Sequence, residues 1–147
     1  MARVRRIVVG VDGSPSSGTA LRWAIGEAEL TGDTVEAVIA WQCPISGGGY
    51  GWAPVLMDNG ANLEAIAEKT LAQTIDDVVP PESAAKVERR VVEGYPASVL
   101  VSESAHADLL VVGSRGHGTF TSALFGSVSQ NCAHHAKCPV VLVRGTG

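Results

Sequence analysis

Basic charge is in short supply in this chain. Eleven Lys and Arg stand against fifteen Asp and Glu, which leaves a net charge of −4 at pH 7. A deficit of that sign excludes bulk nucleic-acid binding, which needs a basic footprint. The one basic cluster, Arg3, Arg5 and Arg6, is a short flank expected to be solvated. Long apolar runs are also missing: no stretch approaches the roughly 18 residues that span a bilayer. Ile7-Val8-Val9 runs straight into Gly10 and Asp12, so no signal-peptide pattern forms and no membrane partner is expected. Cysteine is sparse and odd in number, three in all, which fits a reducing cytoplasm better than a disulfide framework. Aromatics are few, yet the apolar fraction of 46% is that of an ordinary globular protein. A chain of 147 residues is expected to form one domain over 1–147, burying roughly two thirds of its unfolded surface.

What is present is a repeated alternation of strand and helix patterns. Ile7-Val8-Val9-Gly10-Val11 is a continuous apolar run, the signature of a strand covered on both faces. Asp12-Gly13-Ser14-Pro15 stops it, with Ser14 a good N-cap and Pro15 suited to the first helical position. Ala20, Leu21, Ala24, Ile25 and Ala28 then recur at helical spacing, and Gly32 closes the helix. Val35 to Trp41 reads as a second strand, cut by Pro44. Ser46 to Pro54 breaks the pattern with four glycines, Tyr50 and Trp52, either as a surface loop or as a lid over a bound base. Leu63, Ile66, Ala67, Leu71, Ile75 and Val78 mark an amphipathic helix that ends before Pro80-Pro81. Val87 to Val92 alternates with charged residues and should sit at or near a sheet edge. Gly94-Tyr95-Pro96 turns into a helix bearing Ala97, Leu100, Val101 and Ala105. Asp108, at the start of the next strand, is read as structural. A helix from Ser127 to about Ala136 and a last strand after Pro139 complete the chain.

The most informative stretch runs from Val112 to Ser129. Leu109, Leu110, Val111 and Val112 form a buried-strand pattern, and Ser127 with Gln130 has capping-box spacing at a helix start. Between them Gly113, Ser114, Arg115, Gly116, His117, Gly118, Thr119, Thr121, Ser122 and Gly126 make a loop of small, polar residues. Strand, glycine loop and helix start together present unpaired N–H groups to an anion. The expected ligand is a nucleotide held by its phosphates. The pattern is not the nucleotide P-loop, because Thr119 stands where a lysine belongs, nor the dinucleotide fingerprint, whose third glycine would fall at Thr121.

Alternating strands and helices imply right-handed crossovers and a parallel sheet with helices on both faces. Ligands of such sheets sit beyond the carboxyl ends of the strands, where the winding reverses. A five-stranded sheet that starts in its middle sets the first strand beside the fourth and brings Asp12 next to Gly113. A carboxylate there repels phosphate, so Asp12 should accept from sugar hydroxyls.

These residues carry a resemblance. Gly113-x2-Gly116-x9-Gly126-Ser127 is similar to the glycine pattern of the ATP-binding branch of the universal stress proteins, without a gap. Val-Gly-Val-Asp-Gly-Ser at 9–14, Gly94-Tyr95-Pro96 and Cys-Pro-Val-Val-Leu-Val at 138–143 extend it over nearly the whole chain. The resemblance implies a doubly wound, Rossmann-like α/β fold with strand order 3-2-1-4-5, an ATP site and a homodimer through the final strand. By position it implies that Asp12 binds ribose, that Val11 lines the adenine pocket, and that the main chain at Ala40 and Trp41 reads the adenine edge. Val112 leads into the loop; Gly113, Ser114, Arg115, Gly116 and Gly126 would wrap ribose and phosphates; Ser127, Val128 and Ser129 would donate to the phosphate tail. Arg115 could pair with phosphate or simply face solvent. A Mg2+ or Mn2+ ion could bridge the phosphates.

Other constellations are weaker. Cys132, His134, His135 and Cys138 have ligand chemistry, but Cys132 and His135 share a helix face that His134 does not. No nucleophile elbow is present, and His106 and His117 lack an evident serine partner, although His117 could bond within the loop. No carboxylate pair or base for an attacking water is evident, so the expectation is a regulatory module with slow or no turnover. The alternatives are an enzyme acting on a nucleotide phosphate and a cyclic-nucleotide sensor. The apolar Val140-Val141-Leu142-Val143 edge is an aggregation risk unless a second chain pairs with it, and a two-fold dimer would solve that.

Overall fold

The computed structural model describes residues 4–42, 60–84, 86–114 and 127–144; the side chains of Gly60, Ala61 and Ser127 are outside that description. In chain order the elements are β1 (Arg6–Val11), α1 (Pro15–Thr31), β2 (Thr34–Trp41), α2 (Gly60–Val78), α3 (Pro81–Ala84), β3 (Glu88–Glu93), α4 (Pro96–Ser104), β4 (Leu109–Gly113), α5 (Ser127–His135) and β5 (Val140–Val143). The strands form one parallel sheet in the order β3-β2-β1-β4-β5, the doubly wound arrangement expected. Among the described residues, the short α3 just after Pro80 is the one element that periodicity did not announce.

Side-chain alternation along the strands makes two cores. Ile7, Val9, Val11, Val35, Ala37, Ile39 and Val111 point to one face, where Leu21, Ala24 and Ile25 of α1 and Leu71 and Ile75 of α2 cover them. Val8, Val38, Leu110 and Val112 point to the other, against Val99 and Leu100 of α4 and Cys132 of α5. Each fully buried aliphatic contributes roughly 1.5–3 kcal/mol of transfer free energy, so branched residues suffice where aromatics are few.

The ends of α1 follow their sequence signals. Ser14 has an extended backbone, φ −79° and ψ 156°, and its Oγ accepts from Ser17 N–H at 3.1 Å. Pro15 occupies the first turn, and Gly32 N–H closes the helix on Ala28 O at 2.7 Å.

Arg5 and Arg6 of the basic flank are part-exposed, at 43% and 37%, but both are ion-paired. Arg5 Nη2 lies 2.9 Å from Asp33 Oδ2, and Arg6 Nη2 is 2.6 Å from both oxygens of the buried Glu36 carboxylate. Glu103, also buried, lies 3.7 Å from Arg6 and accepts from Arg90 Nε at 2.9 Å. The buried carboxylates of Glu36 and Glu103 require cationic partners, which Arg6 and Arg90 supply. Asp108 has the structural role expected of it: its Oδ2 accepts from Arg6 N–H at 2.9 Å, tying the start of β4 to the start of β1. Arg3 lies outside the described residues.

Candidate functional site

The winding reverses between β1 and β4. Val9 is level with Val111 and Val11 with Ile39, so the chain leaving β1 at Asp12 stands between the ends of β4 and β2. Asp12 therefore meets the Gly113-Ser114 segment on one side and Ala40 on the other, the juxtaposition that the strand pattern predicts.

Local hydrogen bonds fix Asp12. Its N–H donates to Ser17 Oγ at 3.2 Å, and its Oδ1 accepts from Ser14 N–H at 2.9 Å. The carboxylate thus braces the turn that it sits on, and its orientation is set before any ligand arrives. Gly13 between them has φ +84°, and a β-carbon there would come 2.9 Å from Thr70 of α2. Both facts reserve position 13 for glycine.

Gly113 has a packing reason that the sequence did not suggest. A β-carbon on it would lie 2.8 Å from the main-chain carbonyl carbon and oxygen of Ser16 and would also strike the Ser16 hydroxyl. The end of β4 is pressed against the first turn of α1, so even a methyl group would force the two apart. Ser114 N–H then donates to Val143 O at 2.9 Å, which extends the β4–β5 pairing into the loop.

Other predicted positions serve the core as well as the mouth. Val11 and Val112 are 4% and 3% exposed, on opposite faces of the sheet, so what they offer a ligand is main chain. Trp41 packs its ring on the α1–α2 face, Ala40 lies on the α4–α5 face, and Trp41 O accepts from Gly94 N–H at 2.7 Å. Ser129 is buried, with its Oγ 3.5 Å from Ser114 O, a long contact linking α5 to the loop that precedes it. Val128 packs partly into the α4–α5 core. The N–H groups of Val128 and Ser129 lie in the first turn of α5, where the helix offers no internal acceptor. Neither α1 nor α5 carries an acidic residue in its first turn, and the one described carboxylate just before α1 is that of Asp12. Arg115, Gly116 and Gly126, with Tyr50, Trp52 and His117, lie outside the described residues, as does the Ser127 side chain.

The cysteine–histidine group does not converge. Cys132 is fully buried in the core while His134 and His135 are exposed. Burial pushes the Cys132 thiol up to about 11 and raises that of Cys138 too, which makes both poor nucleophiles at neutral pH. A separate cleft of about 400 Å3 between Ile25, Ala28, Val35 and Val87 opens at the opposite end of the sheet. Its rim carboxylates are engaged, Glu29 by Ser83 and Asp33 by Arg5.

A five-stranded parallel sheet in the order β3-β2-β1-β4-β5 defines the class of doubly wound α/β domains. Comparison narrows the class: residues 3–144 match the model of the universal stress protein family, and the chain belongs to that family. A universal stress protein of Mycobacterium tuberculosis is 36% identical over 140 residues, covering 94% of this chain and 43% of that protein. One from Mycolicibacterium smegmatis is 35% identical over 138 residues, covering 94% and 45%. The chain thus spans about half the length of these relatives. Among solved structures, UspA of Lactobacillus plantarum superposes with a TM-score of 0.78 at 23% identity, covering 98% of this chain and all of that one. A universal stress protein solved in complex with cAMP superposes with a TM-score of 0.63 at 29% identity, covering 97% and 98%. Among the described residues no helix is long and apolar enough to cross a membrane.

Proposed function

We propose that this chain is an adenine-nucleotide-binding regulatory module of the stress response, taking ATP at the carboxyl ends of β1 and β4. The observation that carries the proposal is the pre-set Asp12 carboxylate beside the Gly113-Ser114 segment, at the one place in the sheet where winding reverses. Asp12 accepts from the ribose hydroxyls. The main chain at Val11, Ala40 and Trp41 faces the adenine. Val112, Gly113, Ser114, Arg115, Gly116 and Gly126 wrap ribose and phosphates, and Ser127, Val128 and Ser129 donate to the phosphate tail at the start of α5. A divalent ion, Mg2+ or Mn2+, would supply charge neutralisation between phosphate oxygens. Turnover is slow or absent, because no carboxylate pair and no general base stand among the described residues at the mouth. The module works in the cytoplasm as a homodimer paired along Val140–Val143, an apolar strand that is last in the sheet and pairs only with β4 among the described residues.

A second ligand is favoured by one observation: the 29% identical relative was solved with cAMP. Mass spectrometry of the small molecules that copurify with the chain separates the two. Recovery of ATP or ADP in near-stoichiometric amount supports the first, recovery of cAMP the second. Many turnovers per minute on prolonged incubation with ATP would replace the module by an enzyme.

A further inference from the structure

Tyr95 is an anomaly at the rim of this mouth. It occupies the N-cap of α4, with φ −67° and ψ 136°, and its carbonyl accepts from Val99 N–H at 2.9 Å. Ser, Thr, Asp or Asn is strongly preferred at such a position, because a short side-chain oxygen can accept from the first-turn amides. Tyrosine cannot reach them, and α4 has no side-chain cap. The ring is not compensated by packing, since Tyr95 is 63% exposed. One position therefore gives up a helix cap and also holds an aromatic ring in water. Local conflicts of this kind are characteristic of functional positions.

The backbone around Tyr95 is held firmly. Gly94 has φ +149°, and a β-carbon there would come 2.9 Å from Val99 of α4, so the turn depends on glycine. Gly94 N–H is bound to Trp41 O at 2.7 Å, and Pro96 sits in the first turn of α4. Tyr95 is thus one residue from the end of β2, where the adenine edge is read in the proposed function. The strands β1, β2 and β3 are consecutive neighbours, so the ends of β1 and β3 lie about 10 Å apart at ordinary strand spacing. A nucleoside whose ribose is held at Asp12 and whose base extends over the end of β2 arrives at Tyr95.

We infer that Tyr95 is the base-contacting residue of the site, flanking the purine with its ring and selecting for nucleotides over other polyphosphates. This inference rests on the nucleotide-binding proposal above. Aromatic–base contact favours any flat π-face, so the residue distinguishes a purine from no base more strongly than one purine from another.

The test uses the full chain, its Tyr95→Ser and Tyr95→Phe variants, and two probes, ATP and inorganic tripolyphosphate. Tyr95→Ser should weaken ATP binding roughly tenfold, while Tyr95→Phe keeps the affinity of the parent and tripolyphosphate binds all three alike. Without ligand, Tyr95→Ser should melt roughly 2–4 °C higher than the parent, since serine restores the missing cap. Equal ATP affinity in the parent and Tyr95→Ser would overturn the role of Tyr95 and leave nucleotide binding intact. Parallel loss of ATP and tripolyphosphate, or a lower melting temperature in Tyr95→Ser, would make it a structural residue instead. A folded parent that binds neither probe would remove the nucleotide site itself.

Discussion

At the amino end of the sheet, charged side chains find one another: Arg5 with Asp33, Arg6 with Glu36 and Glu103, Arg90 with Glu103, and Asp108 with the main chain of Arg6. At the carboxyl end the polar groups are short and local. Asp12, Ser14 and Ser17 bond to their own turn, and glycines bring main chain against main chain. The first end ties together elements far apart in sequence; the second holds a shape. Paired charges of the first kind fix elements against one another, whereas helix starts and a locally braced carboxylate are the features that suit an anion or a hydroxyl. The difference assigns stability to the amino end, and the proposed function places recognition at the other.

Substitutions at the two ends should therefore separate folding from binding. The largest effect on stability is expected for Glu36→Ala. It removes the nearer carboxylate from Arg6, which is 37% exposed and keeps Glu103 at 3.7 Å, so the loss should be about 2 kcal/mol. Urea denaturation should show that loss while nucleotide affinity per folded molecule stays unchanged. Reduced affinity would show that the two ends are coupled. Asp12→Ala should do the reverse, weakening ATP binding by about 1.5–3 kcal/mol, the range for a hydrogen bond to a charged group. Tighter binding would mean that this carboxylate faces phosphate rather than ribose. Ser14→Ala removes the cap of α1 and should cost about 1 kcal/mol of stability. The Ser14 N–H that holds the Asp12 carboxylate is main chain and survives the substitution, so affinity per folded molecule should stay unchanged.

The smallest effect is electrostatic. The Thr31 hydroxyl, then the Arg5 main-chain N–H and guanidinium, hold the Asp33 carboxyl below its ordinary 3.8. A depressed carboxyl stabilises the folded chain fully above its unfolded value and loses that contribution as pH falls through the folded one. The difference in melting temperature between the parent and Asp33→Asn should stay constant from pH 7 down to about 5 and shrink below about pH 4. A difference that grew on acidification would contradict the pairing.

How much of this was legible in the sequence depends on the range of the interaction. The caps of α1 were readable because Ser14, Pro15 and Gly32 act on neighbours a few residues away. Alternation and crossover handedness gave a parallel sheet, and a start in its middle gave Asp12 beside Gly113, while the full strand order came only with the family resemblance. What sequence could not supply were contacts across long separations. Arg5 and Arg6 looked like a solvated flank, since nothing local reveals that Glu36 and Glu103 are buried beside Arg6. Gly113 looked like a ligand glycine, and its contact with Ser16 needs the β4–α1 packing to be seen. A valine at 113 would therefore disturb the fold along with any ligand, which makes Asp12 the cleaner position to alter. Tyr95 had a local signal that went unread: an aromatic residue directly before a proline at a helix start is a poor cap.

Calorimetric titration of the nucleotide-free chain with ATP, in parallel with Asp12→Ala, tests the carboxyl-end site most directly. One adenine nucleotide per chain should bind to the parent, with at least a tenfold loss in the variant. A parent that is folded by circular dichroism yet takes up no ATP, ADP or cAMP would contradict it.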